Sequence, residues 1–370
     1  MTEVLRRAGG DLAFDDHPLL AIWEVTQACD LACAHCRACA QSQRDANELS
    51  TAEGKALLAR LGEMKVPLLV LTGGDPAKRP DLVELVEAGT RAGLTVAVTP
   101  SGTPVLQRDR LAQMRDAGLA RLAVSVDGPD AASHDAFRGV EGSFAETKRI
   151  LEDARSLGIP VQINTSVGTH NIKALRAMAD FAREVSAVLW SVFLVVPVGR
   201  AGSSLLLGPK RVEALLEELA VIAREYPFDV KTTAAPHFRR VLMQDRRSHV
   251  ERGGAMVGVL EDVDPTGMVK GPRGISDGVG FLFVSHLGEV YPSGFLPLSA
   301  GNVRDTDVAA IYRESPLFTQ LRDYDSLEGK CGVCPFRRVC GGSRARAYAA
   351  TGNVMAEDPL CAYVPKGWVS

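Results

Sequence analysis

The first two hundred residues predict an α/β fold built on a parallel sheet, followed by a smaller unit near the C-terminus. Short apolar runs at 19–25, 67–72, 95–100, 121–126, 160–165 and 189–196 read as buried parallel strands, and amphipathic stretches of helical period lie between them. Such repetition implies right-handed crossovers. The eight cysteines also split into two groups, four between Cys29 and Cys39 and four between Cys331 and Cys361, with none in between.

Taken in order, the first helix is the best marked. Ser50-Thr51-Ala52-Glu53 is a capping box ahead of an amphipathic run to Met64. Further helices are expected at about 80–92, 107–117, 144–157 and 172–183. Six strand–helix units are too few to close an eight-stranded barrel. An open, curved partial barrel and a flat doubly wound sheet both satisfy the periodicity. Next come a helix at 206–226, a short strand at 229–233 and the run Ala235-Pro236-His237-Phe238-Arg239-Arg240. From Gln244 to Gly280 glycines and charges predict an irregular loop, mobile or functional. The runs 281–284 and 289–291, joined at Leu287-Gly288, predict a hairpin.

Composition is that of an ordinary globular protein of 370 residues. A net charge of −3 gives no basic footprint for nucleic acid, and no apolar run is long enough to span a membrane. Residues 1–16 carry acids and lack an apolar signal core, so the expected compartment is the cytoplasm. Clustered cysteines in a cytosolic chain point to metal or redox chemistry rather than disulfides.

Cys29, Cys33 and Cys36 form the run Cys-x3-Cys-x2-Cys. A protein-held iron–sulfur cube normally takes four thiolates, so a run of three implies a cube with one iron open to a chelating substrate. A zinc site would need a fourth ligand from Cys39 or His35, and a disulfide knot would need an oxidising compartment. Downstream, polar motifs follow successive strands, where parallel α/β folds bind ligands. They are Gly73-Gly74-Asp75 after the second, Ser101-Gly102 after the third and Ser125-x-Asp127 after the fourth, with Asn164 at the fifth. Glycines admit close backbone approach, Asp75 is an acceptor for an ammonium, Asp127 for ribose hydroxyls, and Arg138 is placed for a carboxylate.

The cysteine run, with His35 before its last member, resembles the cluster loop of radical S-adenosylmethionine (radical SAM) enzymes, and the resemblance extends over about 19–200. It implies a partial (βα)6 TIM-like barrel, a 4Fe–4S cluster on Cys29, Cys33 and Cys36, and reductive cleavage of S-adenosylmethionine to a 5′-deoxyadenosyl radical. Gly73-Gly74-Asp75 is similar to the family's Gly-Gly-Glu, which binds the methionine ammonium, with a side chain one methylene shorter. Ser125 and Asp127 are similar to the strand end near the methionine carboxylate and ribose, His35 is expected near adenine, and Ser101 stands in a Pro-Ser-Gly where the family has Thr-Asn-Gly. Arg138 and Asn164 complete the expected cofactor contacts.

Cys331-x2-Cys334-x5-Cys340-x20-Cys361 is a four-thiolate set that suits zinc or a complete 4Fe–4S cube. The segment resembles the SPASM and twitch domains, small α+β units with auxiliary clusters, which shifts the weight to iron–sulfur. Ser293 and Arg344 stand where a full SPASM domain has cysteines, so one auxiliary cluster is expected, saturated by protein and suited to electron transfer. The implied organisation is an N-terminal extension (1–17), a radical SAM core (18–233), a connecting segment (234–280) and an auxiliary-cluster domain (281–370).

Within the family, the single four-cysteine set, Pro197-Val198-Gly199-Arg200 and Pro236-His237 look most like the haem-synthesis branch, which includes enzymes that oxidatively decarboxylate tetrapyrrole propionates. On that likeness Arg200, Arg239 and Arg240 are candidate carboxylate clamps, and His237 a candidate acid/base or axial ligand. A flavodoxin or ferredoxin is the expected reductant. The alternative is maturation of a ribosomally made peptide. With fewer than twenty residues before the first strand, a peptide-binding domain is expected to be a separate protein. A non-enzymatic metal or redox sensor is a third reading, opposed by the strand-end motifs.

Overall fold

The computed structural model describes residues 14–251 and 274–368. Ten strands form one sheet in the order β10-β9-β8-β1-β2-β3-β4-β5-β6-β7. The first seven are β1 (Leu20–Glu24), β2 (Leu68–Thr72), β3 (Thr95–Val98), β4 (Arg121–Ser125), β5 (Val161–Val167), β6 (Leu189–Leu194) and β7 (Asp229–Thr233), each parallel to the next. This order decides between the two architectures left open by periodicity. A doubly wound sheet reverses its strand order once, whereas unbroken sequential order with right-handed crossovers keeps every connecting helix on one face. The sheet is therefore a curved partial barrel.

The crossover helices are α1 (Thr51–Glu63), α2 (Leu82–Arg91), α3 (Arg108–Asp116), α5 (Ser143–Ser156), α6 (Leu175–Glu184) and α7 (Pro209–Glu225), with a short α4 (Ala131–Arg138) ahead of α5. The capping box of α1 forms as the sequence predicts: Ser50 Oγ accepts from the Glu53 amide, and the Glu53 carboxylate accepts from the Ser50 amide at 2.7 Å. Alternate strand residues, among them Trp23, Leu69, Leu71, Val96, Val124, Ile163 and Trp190, fill the apolar layer under these helices. Full burial of each such side chain stabilises by about 1.5–3 kcal/mol. The other alternate set, including Leu20, Ile22, Val70, Ser125 and Lys231, is only partly covered and faces the concave side.

α4 escapes the periodicity because it is one turn of helix longer than a tight bend. Asp130 caps it by accepting from the Ser133 amide at 2.8 Å, and Gly139 ends it at φ 71°. After β7, α8 runs from Phe238 to Glu251, so the irregularity expected from Gln244 does not begin there. The rest of that expected loop, residues 252–273, lies outside the described residues.

The hairpin of β8 (Phe281–Val284) and β9 (Glu289–Tyr291) forms as predicted, and β10 (Gly301–Asn302) adds to it. Its sheet is not separate. β8 pairs in parallel with β1, Leu20 opposite Phe281, so the C-terminal segment continues the core sheet past its first strand. Helices α9 (Val308–Glu314), α10 (Pro316–Arg322), α11 (Gly329–Gly332) and α12 (Arg344–Thr351) follow. Leu321, Tyr324, Leu327 and Ala345 pack with Phe14, Leu19 and Val196 in a second apolar cluster that fixes this segment on the core.

Candidate active site

The three-cysteine run lies in the loop after β1, anchored at both ends. Glu48 accepts from Thr26 Oγ1 at 2.6 Å and the Gln27 amide at 3.2 Å, and Arg44 pairs with its other oxygen at 2.7 Å. The middle of the loop leans on α4, the Ala32 and Ala34 amides donating to the Arg138 and Phe137 carbonyls at 3.1 and 3.0 Å.

The glycine pair after β2 has a specific steric cause. A Cβ on Gly73 would stand 2.5 Å from the Thr26 carbonyl oxygen, and one on Gly74 2.5 Å from those of Gln27 and Ala28. The backbone approached closely is therefore the cysteine loop itself, and the Gly74 and Asp75 amides donate to Thr26 and Ala28 carbonyls at 2.8 and 2.6 Å. Gly199 does the same from the far side. Its φ is 64°, and a Cβ there would stand 2.4 Å from the Cys36 and Arg37 carbonyl oxygens.

Around the thiols, Cys29 donates to Ser101 Oγ at 3.4 Å and Arg138 Nη1 lies 3.7 Å from Cys33 Sγ. Burial pushes the Cys29 thiol up, so proton release accompanies its use as a ligand. Cys39 is exposed, with φ 49°.

Asp75 is fully buried, and its carboxylate accepts from Thr103 Oγ1 at 2.5 Å, the Ala77 amide at 3.0 Å and the Ser101 amide at 3.4 Å. Burial raises its pKa above the ordinary value. Asp127 and Arg138, which the sequence assigned to separate contacts, meet as a buried ion pair at 2.6 Å, and the other Asp127 oxygen accepts from the Ser166 amide at 2.6 Å. Burial works against the Asp127 charge, but Arg138 and His35 hold its carboxyl below the usual range. Asn164 lies beside Ser125 in register and accepts from Gln162 Nε2 at 2.7 Å. His35 stacks on Phe137 at 4.4 Å, and Phe137 stacks on His170 at 3.8 Å. Burial lowers the His35 pKa to about 4, so it is neutral at pH 7, with Nδ1 unpartnered.

The sequence missed His170 and a link between the chain's two ends. Glu24 of β1 binds Arg37 of the cysteine loop at 2.5 Å and His286 Nδ1 at 2.9 Å. Only the β1–β8 pairing brings Glu24 and His286 together.

The four C-terminal thiols line one cavity with His237, Arg240, Asp358 and Tyr363. Burial pushes Cys334 up to about 11 and raises Cys340 and Cys361 as well. Among the described residues, no three His, Cys, Asp or Glu side chains meet at a single point as ligands of one ion. Arg344 fills its position by donating to the Val354 and Ala356 carbonyls at 2.9 and 2.7 Å, with Nη2 3.8 Å from Cys331 Sγ. Ser293 is buried and accepts from the Phe295 amide at 3.3 Å.

The structure separates the two candidate catalytic residues. Arg200 is exposed beside the N-terminal loop, its amide donating to the Cys36 carbonyl at 3.0 Å. His237 is buried at the C-terminal thiols with neither ring nitrogen hydrogen-bonded, and burial lowers its pKa to about 4. Two of the arginines named as clamps are committed elsewhere: Arg239 donates to the Val339 and Ile275 carbonyls, and Arg240 to Glu213 and Gln244, both at 2.6 Å. These bonds hold α8 to its neighbours, while Arg240 Nε is buried without a partner.

The donor set and its cradle fit an iron–sulfur cluster: three thiols on one loop, a sheet end that only glycines can occupy beneath it, and a buried orphan nitrogen on His35. Comparison with known proteins agrees. Residues 23–182 match the model of the radical SAM superfamily. The chain is similar to an AdoMet-dependent heme synthase of Methanosarcina barkeri (strain Fusaro), 38% identical over 354 residues, 96% of this chain and 99% of that protein. It is 29% identical to a PqqA peptide cyclase of Rhodopseudomonas palustris, over 94% of this chain and 88% of that one. Among solved structures, Streptococcus suis SuiB bound to S-adenosylmethionine superposes with a TM-score of 0.70 at 16% identity, over 94% of this chain and 78% of that one. The chain belongs to the radical SAM superfamily, whose enzymes work with S-adenosylmethionine and a 4Fe–4S cluster.

Proposed function

We propose that this enzyme oxidatively decarboxylates propionate side chains of an iron-containing tetrapyrrole. The observation that carries the reading is the near full-length similarity to a protein named AdoMet-dependent heme synthase. From the carboxylate anion, conversion of a propionate to a vinyl group removes carbon dioxide, one hydrogen atom and one electron. When bound at Cys29, Cys33 and Cys36, the cluster supplies the electron that cleaves S-adenosylmethionine and so generates the radical that takes the hydrogen. The leftover electron needs an acceptor, and Cys331, Cys334, Cys340 and Cys361 are read as holding an auxiliary 4Fe–4S cluster for it, within a SPASM/twitch-like segment.

In this reading the chain's own groups bind and orient. Gly73 and Gly74 let the sheet end support the loop. Asp75 and Ser101 sit beneath it for the methionine end of the cofactor, Ser125, Asp127 and Asn164 face the carboxylate and ribose, and His35 flanks the adenine. Arg138 fixes Asp127 and contacts Cys33. Arg200 remains the candidate substrate contact, and His237 is reassigned to the auxiliary thiols. Electrons come from a flavodoxin or ferredoxin in the cytoplasm. Among the described residues no helix is long and apolar enough to cross a membrane.

The test is anaerobic reconstitution, then incubation with S-adenosylmethionine, dithionite and iron coproporphyrin III. Mass spectrometry should show stepwise loss of carbon dioxide, matched by 5′-deoxyadenosine. Cofactor cleavage with the tetrapyrrole untouched sinks the reading. It would favour peptide oxidation instead, the reading that the similarity to a PqqA peptide cyclase supports.

A further inference from the structure

On the concave face one row of register partners ends in two side chains, Ser191 and Lys231, that have no role in the site so far. Lys231 of β7 is the register partner of Ser191 on β6, which pairs with Asn164 on β5, which pairs with Ser125 on β4. Residues paired across a sheet project to one face, and their chain neighbours to the other. Those neighbours, Val124, Ile163 and Trp190, lie in the apolar layer under the helices. The Ser125–Asn164–Ser191–Lys231 row therefore faces the barrel interior.

The row offers donors and lacks anions. Ser191 is fully buried and its Oγ has no hydrogen-bond partner. No carboxylate among the described residues pairs with Lys231, and the charged group acting on it is another cation, Arg121 of β4. Burial lowers the Lys231 pKa to about 8, so the ammonium is still largely protonated at pH 7. A partly covered ammonium beside a buried, unpartnered hydroxyl is an unfavourable arrangement until an anionic oxygen group joins it. Two residues further along β6, Phe193 faces Phe295 across the same side, ring centroids 6.4 Å apart, giving an apolar wall next to the cation.

We propose that Lys231, with Ser191, binds a carboxylate of the substrate on the concave face of the barrel. This rests on the tetrapyrrole reading, which supplies a flat apolar ring bearing carboxylates. The group bound is not the methionine carboxylate of the cofactor. Three strand spacings of about 4.8 Å put Lys231 some 14 Å along the sheet from Ser125, the strand-end residue read as facing the methionine carboxylate.

The probes are iron coproporphyrin III and its tetramethyl ester, titrated by Soret absorbance into the reconstituted full chain. Wild-type protein should bind the acid at least about tenfold tighter than the ester. Lys231→Met should weaken binding of the acid by about ten- to hundredfold, leaving the ester, S-adenosylmethionine affinity and iron content unchanged. Lys231→Arg should keep most of the acid's affinity. Wild-type affinity for the acid in Lys231→Met overturns the assignment and leaves the tetrapyrrole reading standing, and so does an equal loss for acid and ester. Failure of wild-type protein to bind either probe overturns both.

Discussion

The two cysteine groups are held by opposite means. The N-terminal loop rests on a sheet that exists without it. Its backbone bonds to the end of β2 and to α4, and glycines at 73, 74 and 199 let the supports come close. The C-terminal thiols lie on a segment of turns and short helices, with His237 of the stretch after β7 at their cavity. Their surroundings are buried charges: Arg346 with Asp358 at 2.8 Å, Arg240 with Glu213, and Arg344 capping two carbonyls beside Cys331. The difference teaches what each can do. A loop on strand ends leaves its open side facing the cofactor motifs after β2, β3 and β4. On the proposed function, the four thiols around the C-terminal cavity saturate one cluster and leave no iron for a substrate, which suits electron transfer.

The sharpest way to break this comparison is to remove one group at a time. Reconstituted protein should hold roughly eight irons, about four per cube. Changing Cys29, Cys33 and Cys36 together to Ala should halve that content and abolish cleavage of S-adenosylmethionine, read as 5′-deoxyadenosine. Full cleavage by the triple variant would end the assignment. Cys361→Ala is the converse. It should still cleave the cofactor with dithionite yet fail to complete an oxidative turnover, and normal product formation would show that the C-terminal group is not the electron acceptor.

A smaller effect tests the charged shell. Asp358→Asn strips the buried partner of Arg346, and breaking such a pair costs about 3–5 kcal/mol. Thermal unfolding should show the loss. The pH dependence has a definite sign. Burial works against the Asp358 charge, but Arg346 holds its carboxyl well below the ordinary range. Its contribution is therefore full above the unfolded value near 4 and fades as pH falls below it. The variant should lose that acid-side dependence, and an unchanged acid limb would mean that the pair does not stabilise the fold.

The smallest effect sharpens the other side. Losing a charge-assisted hydrogen bond costs about 1.5–3 kcal/mol, so Asp75→Asn should weaken S-adenosylmethionine binding by about ten- to hundredfold with iron content intact. Because Asp75 already accepts from Thr103 and the Ala77 and Ser101 amides, the rival outcome is specific. An unchanged dissociation constant by calorimetry, with a lowered Tm, would assign Asp75 to the turn alone.

Local pattern determined much of this protein. The strands β1 to β7, the capped helix α1, the β8–β9 hairpin and both cysteine groups are legible because alternation, capping and ligand spacing are set by neighbours along the chain. The tertiary structure alone decided the rest. Periodicity does not encode strand order, so it could not choose the curved barrel over the doubly wound sheet. The β1–β8 pairing joins residues some 260 apart, and only it brings His286 to Glu24. His237 follows Pro236 just after a core strand, yet the fold carries it to the far cysteines, away from Arg200. Asp127 and Arg138 looked like two ligand contacts and became one ion pair, because α4 is too short to announce itself and turns Arg138 back toward the strand end. The sequence marks only a short strand around Lys231, and its register with Ser191 is what places it inside the barrel.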